Sequence, residues 1–260
     1  HKAAAKLSET ERVITVDGDN QIWPEFLDQQ LTLMDENKDH TFSWRAVNHI
    51  NNLFYGNGGL KCWPVEFILN MKTHENSTGE DASSVVEFCW EGKYTQMFNC
   101  YSTTHCNGSP YQAWRAGYRE GVKLPLKRGL KPDRASFMSD VHRRNLELLR
   151  IWQTIGADAQ NGIYAILGAK EGTCDLMLSD WNFAEVRDFE FLEKRWASVD
   201  HSNLEERSEE LSKILKMGLN LNVPVMNADQ SRFFKDFYKI PAAKEFMTTE
   251  MEVIRSVEGW

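Results

Sequence analysis

The chain has 260 residues, 42% of them hydrophobic, and a formal net charge of -8. A chain of this length and composition can bury a substantial core, which excludes a disordered protein, and its acidity excludes one that coats nucleic acid over its whole surface. No apolar run approaches the roughly 18 residues of a membrane span. The five cysteines are odd in number and contain no Cys-x-x-Cys pair, so neither a complete disulfide framework nor a cysteine zinc site is indicated. We therefore expect a soluble, cytoplasmic protein with reduced thiols and no membrane partner.

The first predicted elements lead to an acidic motif. Residues 2–11 have a helical pattern, and residues 12–16 are a short β-branched run typical of a buried strand. The triplet Asp17-Gly18-Asp19 follows at the carboxyl end of that strand. Helical periodicity returns over residues 24–34, and residues 41–47 predict the next strand. Because open α/β sheets bind ligands beyond the carboxyl ends of their strands, the position of the triplet favours a ligand site.

The triplet has the chemistry of a metal and diphosphate site. When a sugar leaves a nucleoside diphosphate, the negative charge of the diphosphate grows, so catalysis needs a divalent cation or fixed positive groups there. Mn²⁺ and Mg²⁺ prefer hard carboxylate oxygens. Asp17 and Asp19 can offer such oxygens to the metal and the donor, and Gly18 between them avoids crowding.

Two other metal chemistries were compared with the same residues. A calcium loop would place an oxygen ligand, a Gly and a Glu where this chain has Gln21, Ile22 and Asp28, which excludes it. A phosphatase of the haloacid dehalogenase type also begins with a strand and an Asp-x-Asp triplet, in which the first Asp is the nucleophile. Such enzymes usually continue with small residues, where this chain has Asn20 and Gln21. The phosphatase remains an alternative.

Three loops follow in chain order. Residues 55–61 are glycine-rich, and Gly58 and Gly59 indicate either a close approach to a ligand or a plain turn. Residues 73–84 and 102–110 are polar and loop-like.

The second half of the chain is predominantly helical in pattern. Residues 163–172 predict a strand or a helix that runs into a Gly-Ala-Lys-Glu-Gly turn. The other helical segments are residues 111–126, 140–156, 204–217, 230–238 and 242–257.

Charge is concentrated in residues 115–150. Ten basic residues stand against four acidic ones, so this stretch carries +6 and the remainder of the chain carries -14. A polyanionic partner is compatible with this polarity, as is a solvated basic helix face.

Several blocks of sequence occur in an order that indicates a family. They are Val16-Asp17-Gly18-Asp19, Trp44-Arg45, Asn48, Asn52-Leu53, Tyr55-Gly56, Gly58-Gly59, Lys61, the run from Ser109 to Arg115, Arg119-Glu120, Val122-Lys123, Trp152, Gly156, Tyr164-Ala165, Gly168-Ala169 and Gly172. From residue 13 onward the chain resembles phage and bacterial glycosyltransferase-like proteins of the GT-A fold. That family is related to the glucosyltransferase that completes base J in kinetoplastid DNA.

The resemblance implies an α/β fold with a GT-A-like mixed sheet flanked by helices over residues 1–195, and a helical C-terminal extension over residues 196–260. It implies transfer of a sugar from a nucleotide donor, with a UDP-sugar as the expected donor and hydroxymethylated pyrimidines in DNA as the expected acceptor. GT-A enzymes place a nucleoside-binding strand and helix well before the acidic motif, whereas 16 residues precede Asp17 here. We therefore expect that part to be missing from this sequence or to come from another chain.

Roles follow from the chemistry of an inverting transfer, in which a carboxylate takes the proton of the acceptor hydroxyl. The candidates for this base are Glu120, Glu75 and Asp81. The expected donor-binding residues are Asp17, Asp19, Gly58, Gly59 and Lys61; the expected acceptor- or phosphate-binding residues are Arg115, Arg119 and Lys123; and the candidates for a third metal ligand beside Asp17 and Asp19 are His74 and His105.

Three classes of function remain open from the sequence. The first is a metal-dependent glycosyltransferase that acts on DNA, a protein or a surface glycan. The second is a metal-dependent phosphatase, and the third is a sugar- or DNA-binding protein that has kept only the fold.

Overall fold

The computed structural model describes residues 1–55, 59–73, 89, 93–237 and 254–255. The strands are β1 (Arg12–Val16), β2 (Asn20–Ile22), β3 (Thr41–Asn48), β4 (Phe54–Tyr55), β5 (Leu60–Pro64), β6 (Tyr94–Thr104) and β7 (Ile254–Arg255). The helices are α1 (Lys2–Lys6), α2 (Val65–Asn70), α3 (Pro110–Lys123), α4 (Phe137–Asp140), α5 (Arg143–Thr154), α6 (Gly162–Leu178), α7 (Phe189–Ala197), α8 (Leu204–Leu219) and α9 (Ala228–Phe237), with 3₁₀ turns at Pro24–Asp28 and Phe183–Arg187.

The strands form one mixed sheet in the order β1-β5-β3-β6-β2, with β4 paired to β3 and β7 paired to β6. β5 is antiparallel to both β1 and β3, whereas β3 and β6 are parallel. Strands β1, β3 and β6 therefore run in the same direction, and their carboxyl ends lie at the same end of the sheet.

The connection between β1 and β2 forces the sheet to curl. These strands are the two outer ones in the order, yet only residues 17–19 separate them. In a flat sheet four strand spacings would hold them about 19 Å apart, whereas four Cα steps reach at most about 14 Å. The sheet must bend until its two edges are bridged by the acidic triplet.

The two faces of the sheet differ in chemistry. One face packs Phe42, Trp44 and Cys62 against Phe26 and Tyr101 in a hydrophobic cluster. Side chains alternate along a strand, and Lys61 pairs with both Thr15 and Ser43, so Thr15, Ser43, Arg45 and Lys61 lie on the opposite face. Val13 and Trp63 on the same face pack in a second hydrophobic cluster with α1 and α2. We call the part of this face that carries Thr15, Ser43, Arg45 and Lys61 the polar face.

The helical half is built on a close crossing of α3 and α6. A Cβ atom added at Gly117 or Gly121 of α3 would collide with carbonyl oxygens of α6, and one added at Gly168 or Gly172 of α6 would collide with carbonyl oxygens of α3. Glycines four residues apart lie on one side of a helix, so the two backbones touch along this stripe. The large side chains beside the stripe, among them Trp114, pack in the main hydrophobic core.

Helix α8 completes that core and carries a buried polar contact. Leu211, Leu215 and Leu219 of α8 belong to the same hydrophobic cluster as the residues of α3 and α6. Lys170 of α6 is fully buried, and its Nζ donates to the Oγ atoms of Ser208 at 2.8 Å and Ser212 at 2.9 Å. Burial lowers the pKa of Lys170 to about 7.

An acidic and aromatic network joins α3, α6, α7 and α8. The buried Glu171 accepts a hydrogen bond of 2.9 Å from Trp114 Nε1 and lies 3.8 Å from Arg207 Nε. Asp175, one turn further along α6, accepts hydrogen bonds from the Tyr118 hydroxyl at 2.8 Å and Arg195 Nε at 2.9 Å. These contacts fix the registry of the four helices.

The predicted α/β class, a mixed sheet flanked by helices and a helical C-terminal part, is confirmed. Strands over residues 12–16 and 41–47 are also confirmed, with β3 continuing to Asn48. The strand before the triplet, however, is a half-exposed edge strand and not a buried one. Its burial was predicted from β-branched residues, which edge strands also favour.

Four helical predictions need correction. The predicted helix over residues 2–11 ends at Lys6. Residues 24–34 contain only a 3₁₀ turn over Pro24–Asp28. The Gly-Ala-Lys-Glu-Gly segment is not a turn but lies within α6, because its glycines face the backbone of α3. Within the predicted helix over residues 242–257, Ile254–Arg255 is a strand paired to β6.

Candidate functional site

Three segments that follow co-directional strands meet at one end of the sheet. The acidic triplet follows β1, His49 follows β3, and His105 follows β6. The His49 backbone N–H donates to the Thr104 carbonyl at 3.0 Å, and the His105 N–H donates to the Asp19 carbonyl at 2.7 Å. The curled sheet thus brings together residues that are far apart in the sequence.

The side chain of Asp17 packs against Gly59. Its backbone N–H donates to the Gly59 carbonyl at 2.9 Å. A Cβ atom at position 59 would lie 2.6 Å from the carboxyl carbon of Asp17, so only glycine leaves room for this carboxylate. Since Thr15 pairs with Lys61, the pleat places Lys61 and Asp17 on the polar face together.

Asp19 is the more enclosed of the two carboxylates. Its pKa is raised, first because burial disfavours the charged form and second because the Asp17 charge is close. The charges of Arg115 and His105 act in the opposite direction. A carboxylate whose pKa is raised by a neighbouring carboxylate lies at a position that favours a cation.

His105 acts on Asp19, and the ring of His49 packs against that of His105. The rings of His49 and His105 are 4.5 Å apart, and His105 Nε2 is 3.1 Å from Gln21 Oε1. Burial lowers the pKa of His49, and the charges of His105 and Lys235 lower it further. The neutral form of His49 is therefore favoured at neutral pH.

Helix α3 contributes two of the predicted residues, Glu120 and Arg115, to this region. Glu120 is half-buried, and its charge and that of Asp19 both raise the pKa of the buried Cys106 thiol, although burial is the largest cause of its rise to about 11. Arg115 lies over the rings of Tyr111, 5.7 Å from its centroid, and Phe189, 5.0 Å from its centroid. The structure therefore brings Glu120 and Arg115 towards Asp19.

The other two phosphate-binding candidates lie further along α3. Arg119 is exposed and Lys123, at the last residue of the helix, is half-buried. No contact of either residue with Asp17 or Asp19 is described.

The basic stretch of residues 115–150 is partly neutralised by its own neighbours. Lys127 pairs with Asp140 at 3.1 Å, and Arg143 pairs with Glu147 at 3.2 Å. On the outer face of α5, Arg144 and Arg150 are exposed. The stretch is thus a mixed surface and not a continuous basic patch.

Four predicted residues lie outside the described part of the chain. They are Gly58 in the glycine-rich loop and His74, Glu75 and Asp81 in the polar loop. Their roles stay predictions.

A metal at this site would need ligands from outside the described residues. Within the described ranges, no group of three His, Cys, Asp or Glu side chains is arranged to hold a metal ion. Asp17 and Asp19 supply two carboxylates of the type that Mn²⁺ and Mg²⁺ prefer, and such ions commonly complete their shell with water and substrate phosphates. The donor set fits a cation that is held jointly with a phosphate ligand.

Sequence reasoning missed His49 and Gln21 as neighbours of the triplet. Neither belongs to a recognisable motif, and the available signal was only that His49 follows a predicted strand. All five cysteines are free, in agreement with the expected reduced thiols.

Comparisons with known proteins do not add a family. No family model matches the chain, and neither the curated proteins nor the solved structures contain a match. In the part of the chain that the structure describes, no helix is long and apolar enough to cross a membrane.

Proposed function

We propose that the chain is a metal-dependent glycosyltransferase of the GT-A type that uses a nucleotide sugar, with a UDP-sugar as the donor. The observation that carries the proposal is the pair Asp17 and Asp19 at the carboxyl end of β1. The Asp17 side chain packs against Gly59, and the charge of Asp17 contributes to the raised pKa of Asp19. Arg115 and His105 beside Asp19 add the cationic and polar groups that a diphosphate needs.

In this proposal each side chain has a defined task. Asp17 and Asp19 would hold Mn²⁺ or Mg²⁺, and the ion would supply positive charge for the leaving diphosphate. Gly59 leaves room for the Asp17 carboxylate, and Lys61 on the polar face and Arg115 on α3 bind phosphate oxygens.

The acceptor is the second half of the proposal. Glu120 is the described candidate for the base that takes the acceptor proton, because it lies near Cys106 and hence near Asp19. We propose hydroxymethylated pyrimidines in DNA as the acceptor, which the exposed Arg144 and Arg150 of α5 would help to bind through backbone phosphates. A protein or a surface glycan is the alternative acceptor.

The donor reaction is tested by turnover of UDP-sugars with and without Mn²⁺ or Mg²⁺. We expect Asp19→Ala to abolish metal-dependent release of UDP. The matched control is Asp35→Ala, because Asp35 is an exposed carboxylate that pairs with the surface Lys38 at 3.1 Å. Unchanged turnover in the Asp19 variant would sink the assignment, and release of phosphate from simple monoesters without any use of UDP-sugars would favour a phosphatase.

The acceptor is tested with labelled UDP-sugar and DNA that contains 5-hydroxymethylcytosine or 5-hydroxymethyluracil. Nucleoside mass analysis should detect an added hexose. Turnover without any hexose on DNA would move the proposal to a protein or glycan acceptor.

A further inference from the structure

Arg45, on the polar face of the sheet, has unusual surroundings. The guanidinium of Arg45, in the middle of β3, lies between two aromatic rings, 5.1 Å from the centroid of Phe54 and 5.3 Å from that of Phe98. Its Nε atom is buried and has no hydrogen-bond partner among the described residues. A buried donor without an acceptor is costly, so such an atom needs an explanation.

The charged groups that act on Arg45 do not compensate for the burial of its positive charge. Burial lowers the pKa of Arg45, and the nearby Arg144 lowers it further. The other group that acts on it is Cys100, whose own pKa is raised by burial, so its thiol is neutral. Within the described ranges, no carboxylate forms an ion pair with Arg45.

Arg12 provides the contrast within the same sheet. It also lies over a ring, 5.1 Å from the centroid of Phe42, but on the opposite face. Its Nη atoms donate to the carbonyl oxygens of Lys38 at 2.8 Å and Cys62 at 3.0 Å, and its Nε donates to Cys62 Sγ at 3.3 Å. The guanidinium of Arg12 thus donates to several acceptors of the fold, whereas Arg45 Nε has no acceptor among the described residues.

Besides the two rings, polar side chains lie on the same face as Arg45. Ser43, two residues earlier on β3, is buried and its Oγ has no partner among the described atoms. Ser43 pairs with Lys61, which pairs with Thr15, two residues before Asp17. A hydroxyl, an ammonium and a guanidinium therefore lie on the face that carries the acidic triplet.

We infer that Arg45 is the centre of an anion-binding site for a phosphate or diphosphate group, with Ser43 and Lys61 as neighbouring donors. A planar guanidinium binds phosphate oxygens through parallel hydrogen bonds, and the flanking rings of Phe54 and Phe98 hold its plane in place. The identity of the anion as the diphosphate of the sugar donor rests on the proposed function, whereas binding of the anion does not.

The test uses inorganic pyrophosphate and the whole chain in metal-free buffer, so that Asp17 and Asp19 do not contribute through a cation. In ¹⁵N-labelled protein, pyrophosphate should shift the Arg45 Nε–H resonance saturably, with the resonance assigned by its loss in Arg45→Lys. The Arg12 Nε–H resonance should not move. By calorimetry, Arg45→Met should weaken binding about ten-fold or more, as expected for loss of charge-assisted hydrogen bonds.

Arg12→Met is the matched control. It should lower the unfolding temperature but keep the wild-type affinity for pyrophosphate. An Arg45 resonance that stays fixed at saturating pyrophosphate, or wild-type affinity in a folded Arg45→Met protein, would overturn the inference. The NMR arm needs no destabilising variant, so poor folding of Arg45→Met would not leave the question undecided.

Failure of this inference can be told from failure of the proposed function. Pyrophosphate binding that depends on Arg45, in a protein that turns over no UDP-sugar, would keep the anion site and remove the glycosyltransferase. Turnover of UDP-sugar, together with pyrophosphate binding that does not depend on Arg45, would keep the glycosyltransferase and remove the anion site.

Discussion

The buried amine of Lys170 should make the stability of this protein depend on pH in a defined direction. Its pKa is about 7 in the folded protein because burial disfavours the charged form, and the neighbouring Cys174 and Glu209 offset this only partly. The ordinary value for the unfolded chain is 10.5. Between these values the unfolded state binds a proton that the folded state does not, so the free energy of unfolding rises with pH.

The size of the effect follows from the same two values. The contribution of Lys170 to the free energy of unfolding rises by up to about 1.4 kcal/mol per pH unit. Integrated from pH 7 to pH 9, this contribution increases by about 2 kcal/mol. The cost of burying the charge is complete below pH 7 and disappears above the unfolded pKa. From about pH 8 upwards the thiols of Cys106 and Cys174, whose folded pKa values are about 11 and 12 and whose ordinary value is 9.0, oppose the trend because they ionise first in the unfolded chain. The gain that belongs to Lys170 is therefore the difference between the wild-type profile and that of Lys170→Met, which keeps both thiols.

The assay is urea unfolding at intervals from pH 7 to pH 9, followed by tryptophan fluorescence. Lys170→Met should flatten the profile whatever its effect on absolute stability. The control Lys216→Met should keep the wild-type slope, since Lys216 is exposed on the same helix, α8, that Lys170 contacts. A flat wild-type profile, or an unchanged slope in Lys170→Met, would refute the reasoning.

Two further predictions concern glycines. Gly117→Ala should lower the free energy of unfolding by about 2 kcal/mol or more, even after the gain in helix propensity, because the new methyl group would meet the Ala165 carbonyl of α6. Gly18→Ala has open space around its Cβ and should change stability by less than about 0.5 kcal/mol in the same thermal or urea assay; equal effects of the two would contradict the close helix crossing. Gly59→Ala should displace the Asp17 carboxylate and weaken Mn²⁺ binding about ten-fold or more, measured by electron paramagnetic resonance on protein with a wild-type circular dichroism spectrum. Wild-type Mn²⁺ affinity in that variant would contradict the role of Gly59.

Local sequence pattern predicted the strands and helices whose ends and apolar faces are marked by residues nearby in the chain. The β-branched run before Asp17 and the apolar spacing of α3 and α5 predicted those elements within a few residues. Ser109 caps α3 through a 3.1 Å hydrogen bond from the Gln112 N–H, and Pro110 occupies its first turn, which are local features of a helix start.

Local pattern failed where a distant partner decides the conformation. The glycines of α6 predict a turn because isolated glycines favour turns, but against α3 they permit backbone contact that larger residues would prevent. The site divides in the same way. Its carboxylates were readable from the sequence, whereas the support from Gly59 and the approach of His105 were not.

Sequence patterns were enough to predict the α/β class, the strand that ends at the acidic triplet, and the residue types that suit a cation and a phosphate there. The residues that surround that triplet follow from the tertiary fold. The reason is geometric: three residues must bridge the two edges of a five-strand path, so the sheet curls and brings the ends of β1, β3 and β6 together. The same packing buried Lys170 and left Arg45 between two rings without an acceptor, and neither outcome is encoded in the spacing of neighbouring residues.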